Sequence, residues 1–364
     1  MRGYETAAAL EVQVVADRNQ LISYAFDFGR GTIARESQVV ADAIIPSGDR
    51  HELPAAIDST GILVCQRIGA GGEFVQIGLD GTVQRTMAGA DRFRSPAVSP
   101  DGTRIAFDMM PHSDGAGRLV WIHDLQRGVR TLISERGELS DSATWSADGQ
   151  TVYFTGNRDG WKALRKAASG AGAPEMLGAP PGSKDMTVLD VAGDGRYLLV
   201  TTLVAQANWD LYLLPLNEPN AKWTPWASTP ASESGARFSP DSRWIAYVST
   251  ASGSNEIYVS PLDDPSHRWQ ISSNGGVDPV WTTDGTRVPS RAPTDDLMSA
   301  EVVVSKGEVR AGAPRRLFDL RSVGDWSPRN VYDVLPDGKS IVVLRRLTTE
   351  DGTIHVKTGV TYGR

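Results

Sequence analysis

The sequence predicts an all-β fold, a single β-propeller built from four-stranded antiparallel blades. A short turn phrase, best seen in Ser99-Pro100-Asp101-Gly102, recurs seven times. Its copies end at Gly61, Gly102, Gly149, Gly195, Ser242, Gly285 and Gly338, which lie 41 to 53 residues apart. A run rich in β-branched and aromatic residues follows most copies, and no long amphipathic helix is evident. Repeats of four short strands at this period are typical of propeller blades.

Each copy of the phrase predicts a β-hairpin. Proline presets φ at the first corner of a tight turn, aspartate tolerates the second corner, and glycine supplies a positive φ. Apolar residues precede the turn, and alternating runs such as Arg243–Val248 follow it. The seven hairpins are expected at about 54–68, 95–109, 142–155, 187–202, 236–249, 278–291 and 330–345. A third and a shorter fourth strand follow each pair, and Pro289 predicts a short, bulged or edge strand because it lacks an N–H.

Seven hairpins predict seven blades in one domain that spans residues 1–364. Both end segments are irregular, so six or eight blades are also compatible with the sequence. Strand-like runs at Glu11–Val15, Leu21–Phe28 and Thr32–Val40 come before the first turn phrase. We expect residues 1–45 to complete the blade begun by the last hairpin, because such closure pairs open strand edges.

Composition limits the functional classes. The chain has 364 residues, a net charge of −7 and 40% hydrophobic residues. An acidic chain with dispersed Lys and Arg is not expected to bind nucleic acid. The single Cys65 excludes an internal disulfide. No apolar run is long enough to cross a membrane and no signal peptide is evident. We expect a soluble monomer, cytoplasmic if the chain is complete and extracytoplasmic if it is a fragment of a membrane-anchored protein.

The repeats resemble the TolB-like propeller repeat, a relative of the WD-repeat propellers. The resemblance rests on Phe238–Ser249 and covers nearly the whole chain. A narrower likeness, at Trp209–Leu216, Glu233–Pro240 and Ile271–Gly276, is to propellers fused to bacterial membrane-anchored serine/threonine kinases. That likeness implies a sensor domain without its kinase, or a free-standing relative of such a domain.

The catalytic motifs of the enzymes related to such propellers are missing. The sequence has no kinase Gly-rich loop, no His-Arg-Asp loop and no Asp-Phe-Gly, and it has no Gly-x-Ser-x-Gly. His51-Glu52 begins like a zinc-protease motif but lacks the second histidine. These absences favour a binding module over an enzyme.

Candidate site residues follow from propeller topology. The segment before each innermost strand and the loop between the second and third strands share one face, around the channel mouth. The first set comprises Arg50, His51, Arg94, Asp141, Asp185, Glu233, Asp278 and Arg329. The adjoining loops add His112, Arg158, Asp159, Trp161, Trp209, Asn255, Asp295 and Asp296. Trp145 and Trp281 repeat the position of Phe238 and are expected in the blade cores.

Two interpretations of this charged mouth stay open. One is a wet channel mouth lined by polar residues. The other is a pocket that holds a cation or polar ligand, with calcium bound by Asp141, Asp185, Glu233 and Asp278.

Two functional hypotheses result. The first is a sensor or scaffold module that binds a protein, a peptide or a small polar ligand at the mouth. The alternative is a metal-dependent hydrolase or lyase in the same mouth, with His51 or His112 as general base.

Overall fold

A computed structural model divides the chain into two compact units. One unit contains Met1–Ala70, Pro111–Gly115 and Leu347–Arg364, and the other contains Gly71–Met110 and Ala116–Arg346. The structure describes residues 10–15, 20–27, 32–41, 55–57, 63–66, 72–91, 93–109, 117–204, 208–305, 307–323, 332–346 and 354–357. Within these ranges, no helix has the length and apolar character that crossing a bilayer requires.

The first unit contains two small antiparallel sheets. Strands β1 (Leu10–Val15), β2 (Gln20–Asp27) and β3 (Thr32–Ala41) pair in that order. Strands β4 (Ala55–Ile57) and β5 (Leu63–Gln66) form the first predicted hairpin, and β30 (Ile354–Lys357) pairs with β5. The predicted N-terminal strands therefore exist, but they pair among themselves.

The second unit is a propeller of six four-stranded antiparallel sheets. Blade 6 draws on both ends of the unit, through β6 (Gly72–Gly78) and β7 (Val83–Asp91). Blade 1 consists of β8 (Phe93–Val98), β9 (Arg104–Met109), β10 (Leu119–Asp124) and β11 (Arg130–Leu132). Blade 2 consists of β12 (Leu139–Trp145), β13 (Thr151–Asn157), β14 (Trp161–Ala167) and β15 (Glu175–Gly178). Blade 3 consists of β16 (Asp185–Val191), β17 (Tyr197–Leu203), β18 (Trp209–Pro215) and β19 (Thr224–Ala227).

The remaining blades depart more from the repeat. Blade 4 consists of β20 (Glu233–Phe238), β21 (Trp244–Ser249), β22 (Glu256–Pro261) and β23 (Trp269–Gln270). Blade 5 consists of β24 (Arg287–Arg291), β25 (Asp296–Ser305), β26 (Glu308–Ala311) and β27 (Arg315–Asp319), and a 3₁₀ helix follows at Leu320–Val323. Blade 6 is completed by β28 (Tyr332–Val334) and β29 (Ser340–Arg346).

The prediction of seven blades is therefore wrong by one. The hairpin at 54–68 forms, but its sheet belongs to the first unit. The strands that complete the last blade are β6 and β7 rather than residues 1–45. Strand β29 pairs with β6 over seven residues, from Ser340 opposite Gly78 to Arg346 opposite Gly72. This long ladder joins the two ends of the propeller unit.

The six turn phrases within the described residues, from Ser99–Gly102 to Leu335–Gly338, form the tight turns that the sequence predicts. The Ser99 hydroxyl donates a hydrogen bond to Asp101 Oδ1 at 2.6 Å, and that oxygen accepts the Thr103 amide at 3.0 Å. Gly102 has a φ of +70°, which a side chain would strain. The same 2.6 Å hydroxyl–carboxylate contact recurs at Ser146–Asp148, Ser239–Asp241 and Thr282–Asp284. These contacts hold the pKa of Asp101 and its counterparts Asp148 and Asp284 below the usual range.

Six apolar clusters hold the ring together, one between each pair of neighbouring blades. The cluster between blades 6 and 1 contains Phe74, Phe93 and Phe107, and the one between blades 5 and 6 contains Leu297 and Ile341. The other four clusters lie between blades 1 and 2, 2 and 3, 3 and 4, and 4 and 5. The ring of packed interfaces is therefore closed.

Buried tryptophans reinforce two of these interfaces. Trp145 and Trp281 are 5% and 6% exposed, which confirms their predicted place in the core. Their indole N–H groups donate to Ala97 O and Arg237 O, backbone atoms of the preceding blade's inner strand.

Blade 5 shows the effect of Pro289. Its second strand, β24, has only five residues, and the segment that should form the inner strand makes only one bridge, Val277 to Arg291. Pro289 O accepts the Val280 amide at 3.0 Å on that inner side. Because proline has no N–H to return a second bond there, the regular ladder stops.

Candidate functional site

A cavity of about 610 Å³ is lined by residues from blades 1 to 5. Five of the residues predicted for the channel mouth line it: Arg94, Asp141, Trp209, Asn255 and Asp278. They come from five different strands or loops, one on each of blades 1 to 5. The topological prediction therefore brings distant positions to one cavity.

Other predicted residues lie elsewhere. Glu233 is 1% exposed, and its Oε1 accepts the Thr229 hydroxyl at 2.6 Å. Trp161 packs against the apolar cluster between blades 2 and 3, and half-buried Asp185 begins β16 without lining the cavity. The loop charges are engaged in ion pairs, namely Arg158 with Glu138, Asp295 with Arg291, and Asp296 with Arg316. Exposed Asp159 lies in a turn with a φ of +54°.

Four candidates cannot be placed. Arg50, His51, His112 and Arg329 lie outside the described residues. The general bases of the enzyme hypothesis are among them.

Each carboxylate that lines the cavity has an arginine partner that sequence reasoning missed. Arg118 Nη1 donates to Asp141 Oδ2 at 2.5 Å. Arg291 donates from both Nε and Nη2 to Asp278 Oδ2 at 3.1 Å. Both arginines line the cavity, and both sit at strand ends beside the predicted carboxylates. The cavity is therefore lined by Asp–Arg pairs rather than by unpaired carboxylates.

This pairing bears on the calcium hypothesis. Among the described residues, no group of three or more His, Cys, Asp or Glu side chains is placed to hold a metal ion. Asp141, Asp185, Glu233 and Asp278 all belong to the described part of the chain. They are not brought together around one point.

Left-handed residues mark the cavity wall at equivalent places in the inner strands. Ser95, Ser142, Gly235 and Asp278 have φ values of 46°, 53°, 52° and 54°, and all four line the cavity. The ladders of blades 1, 2 and 4 shift register there, between Arg94 and Ala97, Asp141 and Thr144, and Ser234 and Arg237. Bulges of this kind re-aim backbone and side chains at functional sites.

Comparison with known proteins supports the fold. No protein-family model matches the chain, and no curated protein sequence matches it. The solved structure assigned as TolB from Agrobacterium tumefaciens superposes with a TM-score of 0.60 at 17% identity, covering 77% of this chain and 99% of that one. TolB from Acinetobacter baumannii superposes with a TM-score of 0.51 at 15% identity, covering 84% of this chain and 80% of that one.

The chain has the fold of a TolB-like β-propeller. The resemblance predicted from the repeated turn phrase is thereby confirmed at the level of fold.

The other end of this TolB-like propeller channel carries a second group of charges. Asp190 and Asp333 occupy equivalent inner-strand positions in blades 3 and 6. Each accepts a backbone N–H from the next blade: Asp190 Oδ2 from Phe238 at 2.9 Å, and Asp333 Oδ2 from Val98 at 2.7 Å. Burial raises the pKa of both carboxyls, that of Asp333 to about 6. These aspartates join neighbouring blades, and they line a separate cavity of about 360 Å³ together with Arg237.

The positive φ of Ser142 allows the left-handed bulge in the cavity wall to be tested by substitution. We expect Ser142→Gly to keep the fold and raise the free energy of unfolding by up to about 1 kcal/mol, because glycine adopts positive φ without steric cost. Ser142→Val should instead destabilise the propeller, since a β-branched side chain resists this conformation. Urea denaturation of the two variants beside the parent protein measures both effects. An equal loss of stability in both variants would contradict the left-handed bulge.

Proposed function

We propose that this propeller is a binding module that takes a polar ligand, most simply a peptide segment, into the channel-mouth cavity. One observation carries the proposal: inner strands from separate blades bulge at the same level and surround one cavity. Where the ladder shifts, two residues of the inner strand lack a ladder partner. Three of these residues, Ser95, Ser142 and Gly235, line the cavity, so a ligand that brings donors and acceptors of its own can reach their backbone.

The side chains on the wall suit the same ligand. Asp–Arg pairs on blades 1 and 2 and on blade 5 offer charged donors and acceptors, while Trp209 and Asn255 add a flat apolar surface and an amide. Convergent polar groups in one concave site are typical of binding sites. The sensor role implied by the likeness to kinase-fused propellers belongs to this proposal as well.

Filling the cavity tests the proposal. Thr187 lies on the cavity wall opposite its register partner Thr201. Peptides selected from a random linear library against the parent protein should lose at least about tenfold in affinity for Thr187→Trp, which corresponds to about 1.4 kcal/mol. Ser234→Trp fills the same cavity from blade 4 and should have the same effect.

The control places the same side chain outside the cavity. Met176 is 49% exposed on the outer strand of blade 2, so Met176→Trp should leave affinity unchanged. Unfolding temperatures of all variants separate loss of binding from loss of fold. Undiminished binding by folded Thr187→Trp and Ser234→Trp would overturn the proposal.

A further inference from the structure

A buried carboxylate lies behind the cavity wall with no hydrogen-bond partner. Asp108 of β9 is 1% exposed, and neither of its oxygens makes a hydrogen bond. A desolvated carboxylate normally collects several donors, since an unpaired buried charge is costly. The surroundings of Asp108 therefore favour the protonated, neutral form of its carboxyl group.

Asp108 shares one guanidinium with a residue of the cavity wall. Arg118 Nε lies 3.6 Å from Asp108 Oδ2, while Arg118 Nη1 donates to Asp141 Oδ2. Arg118 and Asp141 both line the cavity. A change of charge on Asp108 therefore acts on the arginine that faces a ligand.

The groups around Asp108 set the direction of this effect. Burial, together with the nearby Asp141 carboxylate, raises the pKa of Asp108 to about 6 against the opposing effects of Arg118, Ser95 and Arg94. Arg94 is the register partner of Asp108 on β8, and Asp141 lies on β12 of the next blade. Burial also raises the pKa of Asp141, with Arg118 opposing and Asp185 adding to the rise.

We propose that protonation of Asp108 controls binding of an anionic ligand group, a carboxylate or sulfonate, beside Arg118 in the mouth cavity. When Asp108 is ionised, two carboxylates neutralise Arg118. When Asp108 is protonated, only Asp141 opposes Arg118, and the cavity wall gains one unit of positive charge. Acidification through about pH 6 therefore strengthens anion binding. This inference rests on the proposed function, because it assigns a regulated ligand class to the same cavity.

The test uses benzenesulfonate, which stays fully ionised throughout the pH range. By calorimetry, the parent protein should bind it about tenfold more tightly at pH 5 than at pH 7.5, the size expected for one charge near a partly solvated site. Asp108→Asn is neutral at both pH values and should bind with the tighter affinity throughout. Asp263→Asn removes an exposed charge outside this cavity, in the loop after β22, and should keep the parent's pH dependence.

A second measurement follows the titration of Asp108 directly. By linkage, a ligand that prefers the protonated state must raise the pKa of Asp108. In carbon-13 NMR of aspartate-labelled protein, the Asp108 carboxyl should titrate near pH 6, and its pKa should shift upward with benzenesulfonate. Asp333 also titrates near pH 6, so the signal is assigned by its loss in Asp108→Asn.

Three outcomes would overturn the inference: an unaltered pH dependence in Asp108→Asn, pH-independent binding by the parent protein, or no benzenesulfonate binding at either pH. None of these outcomes contradicts the proposed function, provided that the selected peptides still bind the parent protein and bind Thr187→Trp more weakly. Loss of that peptide result alone would count against the proposed function.

Discussion

Phe107→Ala is expected to lower the free energy of unfolding by about 3–5 kcal/mol, the usual cost of truncating a fully buried phenylalanine. Phe107 is completely buried, and its ring lies 5.6 Å from that of Phe74 and 4.9 Å from that of Phe93. Phe74 stacks on Phe93 at 4.7 Å. Removing one ring leaves a cavity in the interface between blades 6 and 1 that the surrounding strands cannot fill.

Because this interface lies beside the blade that closes the ring, Phe107→Ala should weaken that blade in particular as well as lower the overall stability. Phe74 belongs to β6, which pairs with β29, so the aromatic cluster supports the blade that closes the ring. We expect Phe107→Ala to speed amide hydrogen exchange in β29 more than the matched Phe154→Ala does. Phe154 occupies the equivalent position in blade 2 and is also buried. Equal exchange in β29 for the two variants, or a loss below about 1 kcal/mol for Phe107→Ala, would contradict this account.

Arg118→Ala should be strongly destabilising at pH 8 and much less so at pH 5. At pH 8 the variant leaves Asp108 buried without the guanidinium of Arg118, and breaking a buried pair in this way typically costs about 3–5 kcal/mol. The pKa of Asp108 is already raised to about 6, and removal of Arg118 raises it further, because Arg118 favours the ionised form. At pH 5 the carboxyl is protonated in the folded state, and most of the cost disappears.

Two comparisons isolate this electrostatic effect in denaturation experiments. Arg118→Ala combined with Asp108→Asn should recover most of the stability lost at pH 8, because no buried charge remains at position 108. Arg165→Ala breaks the exposed pair with Glu175 and should cost at most about 1 kcal/mol at either pH. A pH-independent loss in Arg118→Ala, or no recovery in the double variant, would show that Arg118 acts through packing.

The parent protein should show the matching pH dependence. A carboxyl whose pKa is raised on folding binds its proton more tightly in the folded state. Asp108 and Asp333 therefore stabilise the fold below about pH 4, and this contribution is lost as pH rises through about 6.

The fold was predictable from the sequence because its signal is local and repeated. Each turn phrase contains an aspartate, and six of the seven end in glycine, so the position of each hairpin could be predicted. The number of blades was not predictable in the same way. The 54–68 hairpin has the same local pattern, and only its long-range partner, β30, shows that it belongs elsewhere.

The candidate site was predictable by position and not by chemistry. Topology placed Asp141 and Asp278 at the mouth, but their partners Arg118 and Arg291 depend on how strand ends meet in space. The left-handed bulges gave even less signal, because Ser95 and Ser142 are not residues that normally indicate positive φ. Nothing in the sequence of β9 distinguishes Asp108 from its neighbours. Only the structure shows that its carboxylate lacks hydrogen-bond donors.

The ladder between β6 and β29 can form only late in the synthesis of the chain. Gly78 leaves the ribosome 262 residues before Ser340, its partner in that ladder. At roughly 5–20 residues per second, β6 waits roughly 13–50 seconds for the strand that covers it. Through that interval its edge and Phe74 need temporary protection, so the growing chain is most vulnerable to aggregation before its last blade is complete.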